Sequence, residues 1–142
     1  MTVIDFLRQP QKLDLQIRNK LIERQQYQDI ALGITSCAEG SRVSASGSKS
    51  KMADAVDRLV DTEAEVNALV DRLIDTKKEV IRTIEQVDNP TWYNILHMRY
   101  IQYITLQDIA DHYGKDYEWA KANIRKARDV VQRIREKEEG ER

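Results

Sequence analysis

A chain of 142 residues has room for one ordinary domain, or for a small domain carried on an extended helical arm. Charged residues make up 33% and aromatics 6%, with five Gly and two Pro, a balance that suits long amphipathic helices and predicts an all-α protein. The net charge of −1 gives the whole chain no pull on nucleic acid, the lone Cys37 cannot close an internal disulfide, and no apolar run approaches a membrane span or signal core, so the expected location is cytoplasmic.

Residues 12–34 place Leu13, Ile17, Leu21, Ile30, Ala31 and Ile34 at roughly helical spacing, interrupted by Arg24 and Gln28. This predicts a first helix with Pro10 near its start, where proline is tolerated. The periodicity then stops. Residues 35–50, TSCAEGSRVSASGSKS, hold two Gly and many Ser and read as a long connection. Two readings stay open for it. One is a plain linker. The other is a partner- or phosphate-binding loop, with Arg42, Lys49 and Lys51 supplying charge and the backbone N–H groups of Ser46, Gly47 and Ser48 supplying donors.

After the connection, Met52, Val56, Leu59, Glu63, Val66, Val70, Leu73, Lys77, Val80, Ile84 and Val87 alternate steps of four and three. A helix carrying that seam is about 54 Å long at 1.5 Å per residue, more than a small core can cover. The nearest partner for it is the first helix, folded back as an antiparallel hairpin with Ile34 beside Met52 and Arg24 near Glu63. Pairing with a second copy of the chain is compatible with the same seam, so a homodimer stays open.

Asn89 followed by Pro90 is a helix-start signal, and a new unit is expected over residues 89–135. Its first helix should run from Trp92 through Ile95, Leu96 and Arg99 to Tyr103. Thr105 followed by Asp108 starts a short second helix with Leu106, Ile109, Ala110 and Tyr113 on one side. Gly114 supplies a left-handed turn, and Asp116 caps a third helix whose inward stripe is Ala120, Ile124, Ala127, Val131 and Ile134. The polar tail 136–142 is expected to fray. Charge is unevenly spread: residues 52–88 hold ten acids and five bases, whereas residues 115–135 hold seven bases and three acids. The basic stretch is where a phosphate backbone would lie.

A helix, a short helix, a glycine turn and a basic helix follow the order that puts a recognition helix in the DNA major groove. Arg99-Tyr100 followed by TLQDIADHYGKDYEWAKANIRKA resembles region 4 of bacterial sigma factors. Ahead of it, a helix, then SRVSASGSKSKMADAV and a long heptad helix, resemble a family of uncharacterised proteins from phages of Gram-positive bacteria, akin to late-gene transcription regulators of the ArpU and RinA type. The seam predicts a hairpin arm over residues 1–88, and the resemblance implies that a sigma-region-4-like helix-turn-helix follows it. It also implies a phage-type transcription regulator whose partners are double-stranded DNA and, through the arm, RNA polymerase or another protein. Two positions depart from the sigma pattern. Lys115 stands at a turn position that is usually apolar, and Asn123 stands where Ile or Leu is usual, so that Ile124 would fill that slot and the third helix would be rotated.

With Ala120, Ile124 and Ala127 inward, the outward positions are Tyr117, Glu118, Lys121, Ala122, Arg125 and Arg128. Tyr117, Lys121 and Arg125 are the candidates for base edges, and Lys115, Lys126 and Arg128 for phosphates. Trp119 is read as core packing at the edge of this face, with a contact to the sugar-phosphate backbone as the other reading. An enzyme is not expected, nor a cofactor or metal: there are two His, no Gly-rich phosphate loop and no zinc-ligand spacing. Asp108, Asp111 and His112 share one short helix but read as solvated surface. Two other functions stay open, namely an oligomeric assembly or adaptor protein resembling a DNA-packaging subunit, and a protein-only binder of a host factor.

Overall fold

The computed structural model describes the backbone of residues 1–33 and 45–141 and the side chains of 1–33 and 50–141. Within these residues every regular element is an α-helix: α1 (Val3–Ala31), α2 (Ala45–Ile84), α3 (Pro90–Tyr100), α4 (Leu106–His112) and α5 (Tyr117–Gly140).

The first helix starts earlier than its apolar spacing suggests. Thr2 and Asp5 cap it reciprocally, the Asp5 N–H donating to Thr2 Oγ1 at 3.1 Å and the Thr2 N–H to Asp5 Oδ2 at 3.3 Å. Pro10 is therefore inside the helix, not near its start, and is fully buried. The missing N–H costs one helical hydrogen bond on a helix whose Phe6 and Leu7 are also buried. At the other end Gly33 leaves the helix with φ +69°, and Ile34 lies outside the described residues. The second helix also begins earlier, at Ala45, so residues 45–50 are helical and do not belong to the connection.

Compactness divides the chain into two units, Met1–Lys12 with Leu73–Arg142, and Leu13–Arg72. The boundary expected after Asp88 falls inside the first of them. In the second unit, residues 13–31 of α1 and 45–72 of α2 run antiparallel. Lys20 Nζ is 2.9 Å from Glu65 Oε2 and 3.0 Å from Glu23 Oε2, and a Cβ on Gly33 would sit 3.4 Å from Met52 Cε. The Glu65 carboxylate, then that of Glu23, holds the Lys20 ammonium above the usual lysine range. The expected hairpin is thus present, but its ion pair joins Lys20 to Glu65, whereas Arg24 and Glu63 form none.

The seam of α2 is also rotated in its first half. Ala55 and Thr62 are buried, while Val56 is 47% exposed and Glu63 faces solvent. A carboxylate at a packed position would be desolvated without a partner; the neighbouring threonine is cheaper, because its hydroxyl donates to Arg58 O at 2.7 Å. From Val66 onward the expected positions point inward again.

The first unit has one core. Phe6 and Leu7 join Val80, Ile84 and Val87 of the α2 end, Ile95, Leu96, Met98 and Tyr100, Ile109, and Ile124, Ala127 and Val131. Each large apolar side chain taken fully out of water contributes about 1.5–3 kcal/mol. The tail is held to this unit: α5 continues to Gly140, Gln86 Nε2 donates to Glu138 Oε1 at 2.9 Å, and the Arg135 guanidinium lies 4.0 Å from the Phe6 ring centroid. The fraying expected from residue 136 is replaced by helix.

Candidate nucleic-acid interface

Three caps and one turn position the basic helix. Asn89 Oδ1 accepts from the N–H groups of Thr91 and Trp92 at 3.0 and 3.1 Å and starts α3. That helix ends at Tyr100, three residues short of expectation, and the chain turns through Tyr103 at φ 62°. Thr105 Oγ1 then accepts from the Asp108 N–H at 3.2 Å to start α4. At the end of α4 the Gly114 N–H donates to Asp111 O at 3.1 Å and the Lys115 N–H to Ala110 O at 2.9 Å, a Schellman closure with Gly114 at φ +65°. Asp116 Oδ1 accepts from the Trp119 N–H at 2.8 Å and starts α5.

The consequence is that α5 packs against both α3 and α4 with a fixed inner stripe. Ala110, Ala120, Ala127 and Val131 are 0% exposed and Ile124 1%, and the small residues permit close backbone approach. The opposite side of the helix is solvated. Tyr117, Glu118, Lys121, Ala122 and Arg125 are exposed, as are Lys115 in the turn and Lys126, while Arg128 is half-buried. Glu118, Lys121, Ala122, Arg125 and Arg128 line one shallow cleft. Arg128 is steadied there by a 3.4 Å contact from Nη1 to the Tyr100 hydroxyl. Lys126 is not brought to this cleft: one residue beyond Arg125, it projects about 100° further round the helix.

Asn123 is the residue whose role sequence reasoning missed. It is half-buried, its Oδ1 accepts from Trp92 Nε1 at 3.1 Å, and its Nδ2 donates to Trp119 O at 2.9 Å. The available signal was a polar residue one position before an inward isoleucine, with an indole on α3 in need of an acceptor. Trp119 packs at the core edge as expected, 5.2 Å from the Tyr113 ring. Tyr113 OH in turn accepts from Asn94 Nδ2 at 2.7 Å.

Of the residues named for a phosphate or partner loop, Arg42 lies outside the described residues. The Ser46, Gly47, Ser48 and Lys49 backbones belong to the first turns of α2, with their side chains undescribed, and Lys51 is exposed on the same helix. Among the described residues no group of three His, Cys, Asp or Glu side chains could hold a metal ion, and no helix is long and apolar enough to cross a membrane.

A family model described as a protein of unknown function, DUF1492, matches residues 34–118 of the 142. The chain belongs to the DUF1492 family. The match takes in the Ser/Gly segment, all of α2, α3 and α4, and the first two residues of α5. The basic face from Lys121 to Arg128 lies beyond the matched residues. No curated protein and no solved structure matches the chain.

Proposed function

We propose that this chain is a phage-type transcription regulator that binds double-stranded DNA through a helix-turn-helix formed by α4, the Gly114 turn and α5. The observation that carries the reading is the division of α5 into a sealed apolar stripe and a solvated face bearing Lys121, Arg125 and Arg128 in one cleft. Such a helix can enter a major groove with its inner side already committed to protein. Lys121 and Arg125 then reach guanine O6 and N7, and Lys115 and Arg128 reach phosphates. The resemblance of residues 99–127 to sigma region 4 supports the same assignment.

The net charge of −1 means that attraction to DNA is local to this face. Two cations removed from it should therefore matter out of proportion to their number. In a mobility-shift titration against duplexes that the wild type selects from a random pool, Lys121→Ala with Arg125→Ala is expected to weaken retardation at least about tenfold. Unchanged retardation by the double variant would show that the face is wrongly assigned.

A further inference from the structure

A chain of hydrogen bonds joins the cap of α3 to the cap of α5. Asn89 Oδ1 accepts from the Trp92 N–H at 3.1 Å, and Trp92 Nε1 donates to Asn123 Oδ1 at 3.1 Å. Asn123 Nδ2 donates to Trp119 O at 2.9 Å, and the Trp119 N–H donates to Asp116 Oδ1 at 2.8 Å. Each member satisfies the next, and this chain crosses between the two helices at Asn123, while Arg128 Nη1 and the Tyr100 hydroxyl meet at 3.4 Å further along α5. The Asn123 amide uses a donor and an acceptor on different partners at once, which fixes its direction. An apolar side chain in the same place would gain burial without direction.

We infer that Asn123 is a positioning residue that sets the roll of α5 about its own axis against α3, and thereby which side chains face outward. For its consequence on binding, this inference rests on the DNA-binding reading above. Ala120 and Ala127 are small, so Ile124 and the core-edge Trp119 are the bulky contacts in the first half of the helix, and neither is directional. Asn123 sits beside Ile124 and ties that half to Trp92, which holds Lys121 and Arg125 outward together. Half-buried, it can be replaced without opening a large cavity, so its effect on orientation is separable from its effect on folding.

Four full-length proteins test this: the wild type, Asn123→Leu, Trp92→Phe and the double variant. Residual dipolar couplings of the backbone amides report the orientation of α5 against α3 without any ligand. Asn123→Leu is expected to melt within a few degrees of the wild type, while its α5 couplings no longer fit the wild-type orientation and those of α3 and α4 still do. Trp92→Phe should reproduce that change, and the double variant should add nothing to it, because both single variants remove the same bond between α3 and α5. Affinity for duplexes retarded by the wild type should fall about tenfold in each variant. Couplings of Asn123→Leu that fit the wild-type orientation overturn the inference, whatever the DNA result. Couplings that move while the wild type itself retards no duplex uphold the positioning role and sink the DNA-binding reading instead.

Discussion

Gly114 shows how one residue can decide where a whole helix points. Its φ of +65° is open to glycine and strained for a residue with a Cβ, while nothing lies within 4 Å of where that Cβ would be. Replacement by alanine therefore isolates the backbone term. Gly114→Ala is expected to cost about 1–2 kcal/mol in denaturant unfolding with an unchanged m-value. A variant as stable as the wild type would show that the turn does not hold a left-handed residue. The glycine, the Asn89, Thr105 and Asp116 caps and the alanine stripe were all legible in the sequence, because each is a local rule of backbone chemistry. The Trp92–Asn123 bond was not, because it joins residues 31 apart and follows no period.

At the scale of elements, the long helix shows what a heptad count can and cannot fix. A straight helix drifts by about 20° per heptad against a strict seven-residue repeat, so a seam read as 56 and 63 can be satisfied at 55 and 62. The side chains decide between these: Ala55 and Thr62 pack, and Glu63 stays hydrated. Two glutamates should then behave oppositely. Thr62→Glu buries a carboxylate and is expected to cost about 2 kcal/mol or more, whereas Val60→Glu, at a position 62% exposed, should stay within about 0.5 kcal/mol, both by chemical denaturation. Equal costs would contradict the rotated seam. The antiparallel hairpin itself was legible, since an apolar stripe of that length must meet another long helix. Helix ends were less so. The first residues of α1 are fixed by the Thr2–Asp5 cap and by packing against residues 80 and 84, and the end of α5 by contacts with Phe6 and Gln86, all distant in sequence.

For the molecule as a whole, the residues carrying the basic face share a core with the first residues of the chain and with the end of α2. Residues 89–135 pack into that shared core: Phe6, Leu7, Val80, Ile84 and Val87 supply part of the apolar surface on which α3 and α5 rest. The sequence pattern placed a boundary at residue 88 because the Asn89-Pro90 signal marks a helix start, and a helix start says nothing of which side chains it will bury with. Charge at this scale is equally local, so affinity for DNA should reflect the few cations on one face and not the protein's mean field.

The most direct measurement is the salt dependence of duplex binding by the full-length protein, followed by fluorescence anisotropy. Affinity should fall steeply and log-linearly with salt, and Lys115→Ala and Arg128→Ala should each lower the slope by about one while weakening binding uniformly across sequences. Absence of duplex binding at low salt, or slopes that neither substitution changes, would contradict the assignment of this face to DNA.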